Sequence, residues 1–173
     1  TVKILVISDN HGDQAILRTV VDGFRDQVDA IFHCGDSETD QTNPVFNNVA
    51  VVEGNNDPRG AFPDDVVQPV GNETVFMTHG DLYGVSMGLT HLSLKAQEVG
   101  ATLAFFGHTH QLGAESEEGC VYVNPGSISL PRGEYASIGG TFAIVTSTPT
   151  AVQVDFYDRH LDRLPELQTN FER

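Results

Sequence analysis

The sequence predicts a layered α/β domain built around two sheets. Strand and helix patterns alternate in the first part of the 173-residue chain, and short strand patterns with tight turns follow. Five clusters of polar and histidine side chains each come directly after a predicted strand. The first is Ser8-Asp9-Asn10-His11-Gly12 and the last is Gly107-His108-Thr109-His110. Ligands of open α/β sheets bind at the carboxyl ends of strands, which is where every cluster falls.

The amino-terminal part begins with a buried strand and an amphipathic helix. Val2–Ser8 is almost wholly apolar, as expected of a strand covered on both faces. A helix is predicted from Asp13 to about Gln27, because Asp13 can cap its start and apolar residues recur on one face. Asp29–His33 and Val49–Val52 are the next two strands.

The middle of the chain holds a hairpin, a second helix and a further strand. Gly71-Asn72 is a two-residue hairpin signal, and Gly100 ends the helix. The predicted elements are strands at Val66–Val70 and Glu73–Thr78, a helix from about Ser86 to Val99, and a strand at Thr102–Phe106.

The last part of the chain changes to short strands joined by tight turns. We expect antiparallel strands at Gly113–Ser116, Cys120–Asn124, Gly140–Ser147 and Ala151–Tyr157. The tail from Arg159 onward is polar, and no element is predicted for it. Since no repeat, low-complexity stretch or linker interrupts the sequence, we expect one domain over residues 1–173.

Composition excludes several classes of protein. No apolar stretch approaches the roughly 18–20 residues that a membrane helix needs. The two cysteines, Cys34 and Cys120, are too few for a disulfide framework, and no signal peptide pattern is visible, so a cytoplasmic protein is expected. The net charge of −15 argues against binding long nucleic acids, which need Lys and Arg. A small phosphate ester is compatible with it, because bound metals reverse the local field.

The clusters supply enough donors for two neighbouring divalent metals. Mixed nitrogen and oxygen donors suit manganese, iron, zinc or nickel better than calcium. A single histidine in such a place is more often a core or surface residue, but four in these contexts indicate ligands. Asp9 and Asp36 can alternatively cap turns, and Asn55 can shape one. The candidate ligands are Asp9, His11, Asp36, Asn55, His79, His108 and His110.

The motif series resembles the calcineurin-like metallophosphoesterase superfamily. The series reads Asp-x-His, Gly-Asp, Gly-Asn-x-Asp, His-Gly and Gly-His-x-His, and the resemblance covers roughly Val2 to Arg132. The chain length and the Asn124-Pro125-Gly126-Ser127 segment are similar to its small bacterial and archaeal phosphodiesterase branch, which is related to the retromer subunit Vps29. The resemblance implies an α/β/β/α fold with two packed mixed sheets flanked by helices.

The resemblance also implies roles for the ligands. One metal would be held by Asp9, His11 and His110, the second by Asn55, His79 and His108, and both by a bridging Asp36. Asp36, Asn55 and His79 are also the expected catalytic residues. The implied reaction is hydrolysis of a phosphodiester by a hydroxide that bridges the metals. Mn²⁺ is the expected ion, with Ni²⁺, Fe²⁺ and Zn²⁺ as alternatives.

Two positions depart from the family pattern. Many members have a histidine that protonates the leaving group where this chain has Asn56, which cannot be a general acid. Asp81 stands where related sequences often have histidine. Asp57 and Asp81 are therefore candidates for supporting the ligands or handling protons.

Substrate contacts are predicted at three positions, Asn56, Gly126 and Arg132. The loop 124–133 offers backbone amides and a cation for a phosphate oxygen, although its composition alone also explains a simple turn. Two other functions stay open. One is a Vps29-like binding scaffold with little catalysis, and the other is a phosphomonoesterase that uses the same metals.

Overall fold

The computed structural model describes residues 1–173, which form eleven strands and two α-helices. The helices are Gln14–Phe24 (α1) and Thr90–Glu98 (α2). The strands are Val2–Ile7 (β1), Ala30–His33 (β2), Val49–Val51 (β3), Asp65–Val70 (β4), Glu73–Thr78 (β5), Leu103–Phe105 (β6), Gly113–Glu117 (β7), Cys120–Asn124 (β8), Thr141–Ser147 (β9), Ala151–Asp158 (β10) and Thr169–Glu172 (β11).

The strands form two mixed sheets. The first has the order β11-β10-β9-β1-β2-β3, and the second has the order β4-β5-β6-β8-β7. β1, β2 and β3 run parallel in the first sheet, and β5, β6 and β8 run parallel in the second. In each sheet, the carboxyl ends of three parallel strands therefore lie along one edge.

Alternate residues of a strand face different layers of the molecule, as the period of two requires. Ile4 and Val6 of β1 belong to a cluster of 17 buried residues that lies between the sheets. Leu5 and Ile7 face the other way and pack against α1. In the second sheet, Phe76 packs against α2. The predicted helix–sheet–sheet–helix layering is confirmed. Neither helix has the length and apolar character that crossing a membrane requires.

The boundaries of both helices differ from the prediction. α1 ends at Phe24 rather than near Gln27. α2 begins at Thr90 rather than at Ser86, because Gly84 (φ 62°) and Gly88 (φ 126°) adopt conformations that interrupt a helix. The residues between these glycines form a short 3₁₀ turn instead.

The sequence indicated one antiparallel group for the later strands, but the structure divides these strands between the two sheets. β7 and β8 form a hairpin in the second sheet, where β8 also runs parallel to β6. β9 and β10 lie in the first sheet, next to β1. The tail, for which no element was predicted, contains β11, which pairs with β10 and packs Phe171 against the core between the sheets.

An ion pair links the tail to the second sheet. Arg173 donates from Nη1 to Glu73 Oε2 at 2.9 Å, and Nη2 donates to the other oxygen of Glu73. Glu73 is buried, and it also accepts hydrogen bonds from Thr102 and Ser147. Burial raises the pKa of Glu73, but the hydrogen bonds from Arg173, Ser147 and Thr102 outweigh it and lower that pKa to about 2.

Arg173→Met should lower the free energy of unfolding at pH 7 by about 1.5–3 kcal/mol, the usual contribution of hydrogen bonds to charged groups. The pKa of Glu73 is lower in the folded state, so its contribution is present above pH 4.5, its ordinary value, and disappears as the pH falls toward 2. Urea titrations between pH 7 and pH 3 would measure this decline. Arg163→Met is the control, because the exposed Arg163 makes a longer contact, of 3.5 Å, with Asp155, and Asp155 also accepts hydrogen bonds from Gln153 and Gln168. An equal loss in both variants would contradict the role of Arg173.

Candidate metal centre

The candidate ligands follow five strands that end at the same side of the molecule. The loops after β1, β2 and β3 come from the first sheet, and those after β5 and β6 come from the second. The ligands are Asp9 and His11 after β1, Asp36 after β2, Asn55 after β3, His79 after β5, and His108 and His110 after β6.

Asp9, His11 and His110 form one potential metal-binding group, with ligand atoms within 4.8 Å of one another. Asp9 Oδ1 lies 3.6 Å from Nε2 of His11 and 3.3 Å from Nε2 of His110. The two imidazole nitrogens are 3.1 Å apart. This is the set that the family resemblance placed on one metal.

Asp9, Asp36 and His79 form a second group. Nε2 of His79 lies 3.3 Å from Asp36 Oδ2 and 3.9 Å from Asp9 Oδ1. Asn55 Oδ1 lies 3.1 Å from both Nε2 of His79 and Nδ1 of His108. The structure therefore brings all seven candidates together. Asp9 belongs to both groups, and Asp36 belongs to the second.

The burial and hydrogen bonding of Asp9 test whether a cation fits the candidate metal centre. Its side chain is fully buried, and Oδ1 has no hydrogen-bond partner. No Lys or Arg lies within ion-pair distance of Asp9 or Asp36. A buried carboxylate oxygen without a hydrogen bond is unfavourable, and a divalent cation held by the surrounding nitrogen and oxygen donors would remove that penalty. The donor set fits a metal.

The histidines are oriented by acceptors outside the centre. A histidine that donates from Nδ1 keeps Nε2 unprotonated and able to bind a metal. His79 and His110 direct Nδ1 at the carbonyl oxygens of Cys34 and Leu130, at 2.7 Å each, and His11 directs Nδ1 at Glu38 Oε1, at 3.3 Å.

Five of the seven candidates have a left-handed backbone. The φ angles of Asp9, His11, Asp36, His108 and His110 lie between 45° and 70°, and only four other non-glycine residues have positive φ. Such conformations cost about 1–3 kcal/mol each and persist only where surrounding contacts hold them. Here the loop after β1 is hydrogen-bonded to the loop after β2, from Asp9 N to Gly35 O and from His11 N to Asp36 O, both at 3.0 Å.

Glycines beside the ligands allow close approach of the loops. A Cβ atom on Gly54 would lie 2.1 Å from Asp36 Oδ1. A Cβ atom on Gly107 would lie 2.6 Å from Asp9 Oδ2. This explains why a glycine accompanies these ligands in the sequence.

Asp57 supports the ligands of the second group. This is one of the two roles predicted for it, the other being proton handling. Its Oδ2 accepts hydrogen bonds from the backbone of Asp36 at 2.9 Å and Gly54 at 2.8 Å, and its Oδ1 accepts one from Glu38 at 2.9 Å. The carboxylate thus ties the loop after β2 to the loop after β3. Asp81 makes no hydrogen bond to a ligand and lies in a short 3₁₀ turn after β5.

The three predicted substrate contacts have different surroundings. Asn56 donates from its backbone and side chain to both oxygens of Asp36, at 2.8 and 3.0 Å. The Gly126 amide is buried and donates to Asn124 Oδ1 at 2.9 Å, so it is not free to bind a phosphate oxygen; this prediction is corrected. Arg132 donates its backbone amide to His110 at 2.9 Å, and its exposed guanidinium makes no ion pair.

Sequence reasoning missed several residues that hold the ligands in place. Ser127 Oγ donates to the carbonyl of Asp9 at 2.8 Å, and Asn124 donates to that of Gly107 at 3.2 Å. Glu38, at the end of the Gly-Asp-Ser-Glu stretch, contacts His11. Asn124 and Ser127 belong to a segment that the family resemblance had marked, but their distance along the chain from Gly107 and Asp9 concealed these contacts. The position of Glu38 close to Asp36 is a weak signal.

His33 and Asn10 form a buried support beneath the loops. His33 Nε2 donates to Asn10 Oδ1 at 2.7 Å, and its Nδ1 accepts from Gly35 at 3.0 Å. Burial lowers the pKa of His33 to about 4, so this histidine is neutral at physiological pH.

The pKa values of the ligands reflect the excess negative charge. Burial raises the pKa of Asp9, but contacts with His11 and His110 outweigh it and hold that pKa well below its usual range. For His79, burial lowers the pKa, and the hydrogen bond with Asp36 and the charge of Asp9 raise it to about 9. The Asp9 contact likewise raises the pKa of His11. Protons therefore take the place of the cation in the metal-free protein.

The fold is of the layered α/β/β/α type and the site is a candidate metal centre, and comparison with known proteins gives the family. Residues 2–148 match the calcineurin-like phosphoesterase superfamily domain. The probable metallophosphoesterase YsnB of Bacillus subtilis is 37% identical over 166 residues, which are 96% of each chain. The chain therefore belongs to the calcineurin-like phosphoesterase superfamily.

Solved structures agree with this assignment. A predicted phosphoesterase from Streptococcus pneumoniae TIGR4 superposes with a TM-score of 0.95 at 35% identity, covering 99% of this chain and 98% of the other. Vacuolar Protein Sorting 29 (Vps29) from Cryptosporidium parvum superposes with a TM-score of 0.77 at 17% identity, covering the same shares, and shares the fold.

Metal binding should release protons at pH 7, because His79 is protonated there and must lose its proton to bind a metal, and the raised pKa of His11 acts in the same direction. Since the pKa of His79 is raised to about 9, the apparent affinity for Mn²⁺ should increase with pH up to about 9 and then level off. Calorimetric titration in two buffers of different ionisation enthalpy would count the protons released. An affinity that does not change between pH 6.5 and 9 would contradict this arrangement.

Asp57→Asn should weaken Mn²⁺ binding about 10–100-fold, because an amide group in place of one carboxylate oxygen would face backbone donors. Stability should fall by about 1–3 kcal/mol. Calorimetry and urea unfolding would measure the two effects. Asp64→Asn is the matched control, since Asp64 is an exposed carboxylate nearby whose side chain makes no hydrogen bond. Equal metal affinities in the two variants would show that Asp57 does not support the centre.

Proposed function

We propose that this protein is a phosphodiesterase that uses two divalent metal ions, with Mn²⁺ as the preferred ion and Ni²⁺, Fe²⁺ or Zn²⁺ as alternatives. The observation that carries the proposal is the buried carboxylate of Asp9, whose Oδ1 has no hydrogen-bond partner and which is shared by two groups of ligands. Family membership supports a metal-dependent phosphoesterase activity. When bound, such ions activate water and neutralise charge on the phosphoryl oxygens.

The chain's own residues would hold and orient the reacting groups. Asp36 and His79, together with Asn55, form the proposed catalytic side of the centre, and Asn56 fixes both oxygens of Asp36. The exposed guanidinium of Arg132 has the fork geometry that suits two phosphoryl oxygens.

No side chain beside the centre provides a protein nucleophile or a strong general acid. The Ser8 hydroxyl donates to Asp9 Oδ2 and so is already engaged. Asn56 cannot donate a proton to a leaving group. The proposed enzyme should therefore act best on esters whose leaving groups are stable anions, such as p-nitrophenolate.

Charge around the centre favours a diester over a monoester. A cavity of about 610 Å³ next to Asn55 is lined by Glu53, Asp64 and Asp81, with Arg59 as its one cation. A diester carries one negative charge at neutral pH, whereas a monoester approaches two. The acidic lining therefore repels a monoester more strongly. The same argument and the net charge of −15 support a small substrate and no long nucleic acid or anionic membrane.

Location and an alternative function are also proposals. Both cysteines are free and buried, which is in keeping with a cytoplasmic protein.

The alternative function, a Vps29-like binding scaffold, is favoured by exposed apolar side chains near α2, of which Met87 is 94% and Leu82 is 65% exposed. Measurements of hydrolysis distinguish the scaffold from the phosphodiesterase.

Metal-stripped protein should hydrolyse bis-p-nitrophenyl phosphate only after Mn²⁺ is added, and faster than it hydrolyses p-nitrophenyl phosphate. Asp36→Asn should reduce the rate at least about 100-fold, since a carboxylate that holds the metals is lost. Release of p-nitrophenolate is the measurement, and circular dichroism checks that the fold is kept.

The control is Asp40→Asn, which makes the same change of charge at an exposed residue close to Asp36. Faster hydrolysis of the monoester would favour a phosphomonoesterase. No hydrolysis of either ester by protein that binds Mn²⁺ would favour the scaffold. Full activity of Asp36→Asn would remove Asp36 from the proposed mechanism.

A further inference from the structure

A second cavity lies beside the metal centre, on the face of the second sheet that α2 covers. Its volume is about 380 Å³, which is within the range that holds small ligands. Its apolar wall contains Val85, Leu89, Phe106 and Tyr122. The cavity is separate from the acidic one next to Asn55, with which it shares no lining residue.

The cavity and the metal centre share a wall. Thr109 lines the cavity and stands between the candidate ligands His108 and His110. Asn124 lines it too, and it donates to Thr109 Oγ1 at 3.0 Å. A group attached to a phosphate at the centre would need to pass only this turn to enter the cavity.

The cavity combines apolar surface with a few polar groups. Gln111 and Glu115 belong to its lining. The hydroxyl of Tyr122 is buried and has no hydrogen-bond partner in the protein. An apolar wall with few polar groups is typical of small-ligand sites. The aromatic side chains of Phe106 and Tyr122 in this wall favour stacking or edge contacts with a flat ring.

We propose that this cavity is the subsite for an aromatic or heteroaromatic ester group of the phosphodiester substrate. The proposal rests on the proposed function, because it places the phosphate at the metal centre. Apolar contacts in the cavity bind the ring, and the turn at Thr109 sets the distance between ring and phosphate. The substrate class is thereby narrowed from phosphodiesters in general to those with a ring attached through one ester oxygen.

Gly113 provides a way to fill the cavity without disturbing the ligands. It lies in β7 opposite Asn124 and lines the cavity, on the face that Glu115 and Tyr122 share. Its φ is outside the left-handed region, and a Cβ atom placed on it meets no atom within 4 Å. Gly113→Trp therefore occupies the cavity with a side chain. Ser116→Trp is the matched control, because Ser116 lies on the opposite face of the same strand.

The experiment compares the binding of phenylphosphonate and methylphosphonate to the Mn²⁺-loaded protein by calorimetry. Neither compound can be hydrolysed at its carbon–phosphorus bond, so binding is read independently of turnover. The native protein should bind phenylphosphonate about tenfold more tightly, which corresponds to burying roughly 60 Å² of ring surface. Gly113→Trp should lose this preference and keep its affinity for methylphosphonate, while Ser116→Trp should retain both.

Equal affinities in the native protein, or a preference that survives in Gly113→Trp, would overturn the subsite. A parallel assay with bis-p-nitrophenyl phosphate separates this outcome from failure of the proposed function. Hydrolysis without any preference for the phenyl compound overturns the subsite alone. Absence of both hydrolysis and phosphonate binding overturns the proposed function together with the subsite.

Discussion

The uncompensated charge of two buried carboxylates is the constraint on which the rest of this structure depends. Asp9 and Asp36 are almost completely buried, and histidines are their only basic neighbours within ion-pair distance. A Lys or Arg there would neutralise the charge but would also fill the space that a metal needs. The arrangement of the histidines, the glycines beside the ligands and the backbone support from Asp57 all serve to hold these two carboxylates close together.

The two-sheet fold makes that arrangement feasible. In each sheet, three parallel strands end at one edge. The sheets pack over a common core, which brings these two edges together. Loops from both sheets are then joined by direct hydrogen bonds, such as that from His79 Nδ1 to the carbonyl of Cys34 at 2.7 Å. The position of the centre thus depends on the core between the sheets as much as on the loops themselves.

Local patterns in the sequence predicted the layers and all seven donors that the structure brings together, because strand ends and ligand types are both visible over a few residues. The pairing of strands and the contacts between residues that are distant in the sequence were not visible in the same way. β8 and β9 are both almost entirely buried, yet β8 belongs to the second sheet and β9 to the first. The composition around Gly126 indicated a turn, but not that Asn124 would take its amide. The polar sequence of β11 concealed an edge strand whose partner is β10.

The left-handed backbone at five candidate ligands bears on how this protein can evolve. Glycine and asparagine adopt such conformations more easily than histidine or aspartate held in place by a site, so replacing a ligand by either would relieve strain. Selection for metal binding therefore acts against thermodynamic stability at these positions. In a lineage that no longer needs the metals, ligands would be lost while the fold gained stability.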